Sequence, residues 1–419
     1  MTEETLSAGE AAYLLGVKVP TLYAYVARGV IRRRRKDGRR SRFLRPEIER
    51  LAQSRRRTDS ELVIHSSITS IEPEGHRYRG HSAQQLAMTA SFEAVAELLW
   101  GNALGEQPQW STPQARSDLG ALAGGLLPAE LLPIERLPLI VTAISAGDPH
   151  RFDLSRHRVV AAARALILGV VRALPGPGKG RPAKAASAVA NDLWLKLAAR
   201  NPRPAELRML NAALVLAADH ELSASTLAAR IAASVGAGPY AVVTAGLGPL
   251  QGVRHGAAAL AAERLLAEMT SARQAQAVLG ERMRMGQRPA GFGMPLYPQG
   301  DPRARLILGL VGDVAGRSGR FASVEAVLEA ANDLGLPPPS IDFALAALTH
   351  SSSMNPGAAE LIFAIGRMAG WLAHALEEYA SPTPFRLRAQ HFGDGDLPSG
   401  LPANRMGRAM RTRLDNAPG

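Results

Sequence analysis

Gly291-Phe-Gly-Met-Pro-Leu-Tyr-Pro-Gln-Gly-Asp-Pro-Arg303 is the stretch on which the reading of this chain turns. Apolar positions recur at helical spacing on both sides of it, over 257–269 and 303–316. Its glycines and prolines break that periodicity, so the segment reads as a loop between helices. Taken alone, Arg303 in Asp-Pro-Arg simply starts the next helix. Six other segments stand around it in a fixed order. Ahead lie Tyr78-Arg-Gly80 with Leu86-Ala and Phe92-Glu93-Ala-Val-Ala-Glu-Leu-Leu99, then Ala218-Asp-His220-Glu221-Leu-Ser-Ala-Ser-Thr226, then Gly252-Val-Arg-His255-Gly256-Ala. Behind lie Ile341-Asp342-Phe343, then Phe363-Ala-Ile-Gly-Arg367 with Gly370-Trp-Leu-Ala-His374, then Phe385-Arg386-Leu-Arg388.

Each segment has an ordinary explanation. Asp342 in Pro-Ser-Ile-Asp reads as a helix N-cap. A histidine beside glycine, such as His255, is usually a surface or hydrogen-bonded residue. Arg367 is harder to dismiss, because it sits on an apolar helical run, 357–379, and a buried guanidinium needs an anion. His350, His374 and His391 read as structural, and His65, His76 and His81 receive no chemistry.

The bulk numbers narrow the class. At 419 residues, two or more domains are expected. The chain is 46% hydrophobic but only 5% aromatic, and Ala, Leu and Val supply most of the apolar share, which favours helices. Further helical runs cover 83–100, 157–173, 185–199, 205–218, 225–247, 323–333 and 341–349, whereas 174–183 and 391–419 read as loop and tail. There are no cysteines, which excludes disulfides, thiolate catalysis and cysteine-ligated zinc. No apolar segment follows Met1 as a signal peptide would, and Arg164 interrupts the longest apolar run, Val159 to Val171. A soluble cytoplasmic protein without a membrane partner is the expectation.

Charge is concentrated at one end. The formal net charge is +12, of which residues 1–57 carry +9. That segment also has a folding pattern. Ser7 and Glu10 form a capping box for a first helix ending at Gly16. Pro20 opens a second helix, Thr21 to Arg28, closed by Gly29. Leu14, Val17, Leu22 and Val26 read as its core. Ile31 to Arg35, a Lys36-Asp-Gly-Arg turn and Arg40 to Phe43 make a basic hairpin, and Pro46 opens a closing helix through Leu51. Helix, turn, helix and wing would bind duplex DNA, with the second helix in the major groove. Glu-Ala-Ala-x-x-Leu-Gly-Val and Thr-Leu-Tyr within 6–30 resemble the MerR-type and excisionase-type helix-turn-helix family. Thr21, Tyr23, Arg28, Arg34 and Arg40 are the candidates for DNA contact.

The seven segments together resemble the citrate synthase family, over about residues 65 to 391. The resemblance implies an all-α fold of large and small helical domains: 58–256 and 354–391 large, 257–353 small, with 1–57 ahead and the Gly/Pro-rich tail 392–419 behind. It implies condensation of acetyl-CoA, or a related short acyl-CoA, with oxaloacetate to give citrate and CoA, in a homodimer. Such chemistry needs a carboxylate base for a weak carbon acid, a donor to the forming enolate oxygen, and guanidinium clamps on the oxo acid. By position, Asp342 is the base and His255 donates to the thioester oxygen. His220 binds the oxo acid, Arg303 and Arg367 grip its carboxylates, and Arg386 does so from the partner subunit. Acetyl-CoA enters as co-substrate, with no permanently bound cofactor and no metal. Met294 departs from the pattern: the family has a histidine there that donates to the ketone oxygen, and methionine cannot donate. Loss of one such donor costs about 100- to 1,000-fold in turnover, so weakened activity is expected. The alternative is a transcriptional regulator that uses the synthase fold to sense oxaloacetate, citrate or acyl-CoA.

Overall fold

Ser7 Oγ accepts a hydrogen bond from the Glu10 amide at 3.3 Å, and Glu10 Oε2 accepts one from the Ser7 amide at 2.7 Å. This reciprocal pair starts α1 (Ala8–Leu14) as the sequence dictates. The computed structural model describes residues 5–15, 17, 19–27, 30–32, 34–35, 41–45, 47–48, 64–105, 109–177, 188–253, 255–269, 274–316, 318–381 and 384–385. The chain folds as two units, Met1–Ser66 and Ser67–Gly419.

In the first unit α2 (Val19–Ala27) follows α1, and Pro20 lies in its first turn, where no amide donor is needed. β1 (Thr5–Ser7), β2 (Arg34–Arg35) and β3 (Ser41–Leu44) form an antiparallel sheet in the order β1-β3-β2. The β2–β3 hairpin is the expected one; its pairing with β1 is an addition. Leu6, Ala11, Leu15, Leu22, Ile31, Phe43 and Ile48 make the core. Leu14, Val17 and Val26 pack at its margin, half-buried rather than inside it. Gly16, Gly29, Pro46, Leu51 and the Lys36-Asp-Gly-Arg turn lie outside the described residues.

The second unit begins with β4 (Thr69–Glu72), β5 (Gly75–Tyr78) and β6 (His81–Ser82), a small antiparallel sheet absent from the sequence reading. Helices follow: α3 (Ala83–Thr89), α4 (Phe92–Leu99), α5 (Gln114–Gly125), α6 (Pro133–Ala146) and α7 (Arg156–Ala173). Next come α8 (Ala188–Leu197), α9 (Pro204–Ala217), α10 (Ala224–Ser234), α11 (Pro239–Leu250), α12 (Ala257–Glu268) and α13 (Ala275–Arg284). The last are α14 (Pro302–Ala315), α15 (Gly319–Asp333), α16 (Ile341–Ser351) and α17 (Ala358–Tyr379). The fold is all-α in class. Two expected long helices are each two. Ser91 caps α4 by accepting from the Ala94 amide at 3.2 Å, which ends the run after α3. Between α10 and α11 the chain turns at Gly236, whose φ is +79°.

Every residue of α17 from Ala358 to Ala375 is buried, so this helix is the axis of the core. Gly366 lets it approach α9 closely: a Cβ there would stand 2.8 Å from Leu214 O. The main apolar cluster surrounds α17, and a second one joins Leu265, Leu266, Leu279, Val324, Val327 and Phe343 of α12, α13, α15 and α16. Among the described residues no helix is long and apolar enough to cross a membrane.

Candidate active site

The close packing of α9 and α17 fixes the first part of the site. Arg367, 1% exposed, donates from Nε to Ala217 O at 2.8 Å and from Nη1 to Ser223 Oγ at 3.2 Å, and its guanidinium lies 4.6 Å from the Phe363 ring centroid. Among the described residues no carboxylate forms an ion pair with it. Burial lowers its pKa, with the charge of Asp219 opposing. A buried cation held only by neutral acceptors is a place for an anion.

From Arg367 the hydrogen bonds run to His255. Ser223 Oγ is 3.1 Å from Ser225 Oγ, and Ser225 Oγ is 2.8 Å from His255 Nε2. His255 stands just before α12 and edge-on to Phe363, with centroids 6.1 Å apart. Burial, aided by Arg367, pushes its pKa down to about 4, so the imidazole is neutral at physiological pH. A neutral imidazole can donate one N–H without carrying charge.

Asp342 enters from α16. Ser340 Oγ accepts from the Asp342 amide at 3.3 Å and lies 3.1 Å from Asp342 Oδ2. The N-cap of α16 is therefore Ser340 and not Asp342, which corrects the ordinary reading of Pro-Ser-Ile-Asp. Burial raises the Asp342 carboxyl above its usual value, against the pull of Arg303. The glycine loop is built onto this helix start. Ser340 N donates to Gly291 O at 2.8 Å, and Gly293 N donates to Pro338 O at 2.8 Å. Gly291 has φ +89°, and a Cβ there would meet Phe343 Cβ at 2.8 Å, so a side chain cannot replace it.

Arg303 does start a helix, and it is also buried. Its Nε and Nη2 bind both oxygens of Asp301 at 2.9 and 2.7 Å. Burial opposes its charge, and Asp301 more than offsets that, leaving the pKa raised. Asp301 also accepts from the Ile341 amide at 3.1 Å, tying the start of α14 to the start of α16. Arg303 thus already has a carboxylate partner in contact, unlike Arg367. His220, also buried, has Nε2 3.1 Å from Tyr297 Oη and its ring edge-on to His76 at 5.2 Å. Burial, and then the charge of Arg303, hold its pKa well below the ordinary value. Glu221, next to it, has φ +58°, a conformation a non-glycine residue adopts only when its surroundings fix it.

Met294 is half-buried and lines an open cavity of about 700 Å³ with Met283, Phe292, Tyr297, Leu336 and Pro337. His374 belongs to a buried network: Arg230 Nη1 donates to its Nδ1 at 2.6 Å, and its Nε2 lies 3.3 Å from Asp219 Oδ1. The sequence reading missed Asp301, Tyr297, Ser225 and Ser223. Asp301 was signalled by Asp-Pro-Arg at a helix start, whereas the others carried no signal. Arg386 lies outside the described residues. In the first unit Thr21 is half-buried, and the exposed Tyr23 donates to Ser41 Oγ at 3.4 Å, strapping α2 to the wing. Arg34 belongs to β2, and Arg28 and Arg40 lie outside the described residues. Among the described residues no cluster of three His, Asp or Glu is arranged to hold a metal.

Residues 59–388 match the family model of the citrate synthase C-terminal domain. The chain belongs to the citrate synthase family. Residues 5–56 match a helix-turn-helix domain. The chain is 30% identical to the citrate synthase of Haloferax volcanii, covering 80% of this chain and 95% of that one. It is 28% identical to citrate synthase 2 of Bacillus subtilis, covering 78% and 93%. It is 27% identical to the 2-methylcitrate synthase of Mycobacterium tuberculosis strain H37Rv, covering 79% and 88%. Among solved structures it superposes on the citrate synthase of Thermoplasma acidophilum, in a ternary complex with carboxymethyl coenzyme A and oxaloacetate, with a TM-score of 0.65. That likeness spans 84% of this chain and 99% of that one at 23% identity, which shows the shared citrate synthase fold.

Proposed function

We propose that the second unit condenses acetyl-CoA or another short acyl-CoA with oxaloacetate or a close 2-oxo acid, giving citrate or its homologue and free CoA. The observation that carries this reading is the buried cation at Arg367, which makes no contact ion pair among the described residues and is linked by hydrogen bonds to the neutral imidazole of His255. Asp342, its pKa raised by burial, takes a proton from the carbon next to the thioester. The electron pair moves to the thioester oxygen, where His255 donates a hydrogen bond. The new carbon nucleophile attacks the ketone carbon of the oxo acid, and water then releases CoA from the product thioester. Arg367 and His220 hold the oxo acid, with Arg386 of the partner subunit of a homodimer as a further clamp. Arg303, saturated by Asp301, contributes to the positive field of the pocket and braces the base. Residues 257–353 form the small domain, whose closure on the large one excludes water from the enolate. Asp342→Asn should abolish condensation while leaving oxaloacetate binding nearly unchanged. Wild-type turnover by that variant would remove Asp342 from its role.

A second reading rests on two observations together, the helix-turn-helix unit and Met294. In it the first unit binds duplex DNA and the synthase fold senses an oxo acid or acyl-CoA. The lining around Met294, apolar but for Gln287, Arg288 and the Tyr297 hydroxyl, also favours a 2-oxo acid or acyl group with extra hydrocarbon, in place of the donor lost there.

A further inference from the structure

His76 lies on β5, facing inward with Tyr78, and is 1% exposed. Its Nε2 is 3.0 Å from Tyr78 Oη and its ring is edge-on to His220, centroids 5.2 Å apart. Its Nδ1 is buried and has no hydrogen-bond partner among the described residues. A buried polar atom left unpaired costs stability, so an orphan of this kind in a packed site calls for an explanation. The charges that act on the ring are those of Arg303, Arg367, Asp219 and Asp301, and its other polar neighbours are Tyr78 and His220. The ring therefore stands edge-on to His220, one of the groups assigned above to the oxo acid, and within the field of Arg303 and Arg367.

The state of the ring follows from counting protons. Tyr78 Oη lies 2.9 Å from Val215 O and 3.0 Å from Asp219 O, and it accepts the Asp219 amide at 3.2 Å. Its single proton has three acceptors in reach. Directed at a carbonyl, it leaves His76 donating from Nε2, with Nδ1 a bare acceptor. Directed at His76 Nε2, it leaves the ring proton on Nδ1, which is then a donor. A rotation of the Tyr78 hydroxyl accommodates either tautomer. Burial, with Arg303 adding to it, holds the imidazole at about 3, so it stays neutral in both.

We propose that His76 is a further binding residue of the oxo-acid pocket, its Nδ1–H donating to an oxygen of the bound 2-oxo acid beside His220. The inference rests on the reading of the pocket given under Proposed function. It returns to the pocket an imidazole donor, the group that Met294 does not provide. A 2-oxo dicarboxylate fits because neutral His220 lies against the ring and the buried cation of Arg367 is close enough for its charge to act on it.

The test is calorimetric titration of oxaloacetate into the full-length protein, with His76→Asn and His76→Gln compared. An asparagine amide nitrogen falls near the Nδ1 position, and a glutamine nitrogen near Nε2. Gln should keep the Tyr78 contact yet bind oxaloacetate roughly tenfold or more weakly, while Asn should stay within about threefold of wild type. A purely structural role predicts the reverse order, and that order, or equal affinities, overturns the proposal. Nitrogen-15 spectra of histidine-labelled wild type give a second readout that does not depend on how the variants fold. The His76 Nδ1 resonance should move on saturation with oxaloacetate, and an unmoved resonance under a bound ligand overturns the proposal while leaving the pocket intact. No saturable binding of any 2-oxo acid by wild type would overturn the reading of the pocket, and this inference with it.

Discussion

Arg367→Met separates a binding role from a structural one. The guanidinium has two hydrogen bonds, to Ala217 O and Ser223 Oγ, and stacks on Phe363. Removing it forfeits about 1 kcal/mol for each neutral contact and leaves two acceptors behind. It also removes a buried cation whose desolvation costs several kcal/mol, roughly, and which the charges of Asp219 and Asp342 offset only from a distance, without a contact ion pair among the described residues. Methionine keeps the stem against Phe363. The two effects oppose each other, so the stability of the unliganded variant should fall within about 2 kcal/mol of wild type, on either side. Ligand binding has no such compensation. Truncating one partner of a buried charge pair costs about 2–5 kcal/mol, or roughly 30- to 5,000-fold in oxaloacetate affinity. Urea denaturation and titration calorimetry on the same preparation measure both. A variant that loses more than about 4 kcal/mol of stability yet binds oxaloacetate like wild type would refute the reasoning, because Arg367 would then be holding the core together.

Met294→His should raise kcat more than it lowers KM, because a donor at the ketone strengthens as charge develops there; the gain should approach the roughly 100-fold that one such donor supplies. No gain with several oxo acids and acyl-CoAs would mean that the site has diverged beyond this residue. In pH profiles, kcat/KM should fall with acid through a limb above the ordinary 3.8 of an aspartate, because burial raises Asp342 and the base works only when ionised. His255, held at about 4, should add no limb near its ordinary 6.5, and a limb there that vanishes in His255→Gln would contradict the neutral imidazole. Deleting residues 1–57 should abolish binding to duplex DNA in anisotropy measurements, and intact binding should weaken steeply with salt. Equal binding by the shortened chain would remove the role of the first unit.

Much of this site was legible because its residues sit at places with strong local rules. Ser340 caps α16, Asp301 and Pro302 start α14, and Gly291 and Gly293 mark positive-φ turns, so Asp342, Arg303 and Met294 arrived at helix ends or a loop that sequence can locate. Arg367 stood out as the one charge within the apolar stretch 361–373 of α17. What stayed hidden depended on contacts between distant segments. The β4–β6 strands are two to four residues long and have no alternation to read. His76 looks like any strand histidine until β5 packs beside His220. α6 carries Pro138 in its interior, which argues against a helix even though Ile134, Leu137, Ile140, Val141 and Ile144 keep helical spacing, and α5 ends in Ala-Gly-Gly with little apolar stripe to read. The pairing of Arg303 with Asp301 was written in Asp-Pro-Arg, but only the fold shows that both side chains are buried and satisfied by each other.

The central claim is that this pocket makes a carbon–carbon bond between an acyl-CoA and a 2-oxo acid. Steady-state release of free CoA thiol from acetyl-CoA, followed with and without oxaloacetate, tests it most directly. The account predicts release that depends on oxaloacetate, saturates with it, and is matched by an equal amount of citrate. Release independent of any 2-oxo acid, or none with any acyl-CoA tried, would contradict it.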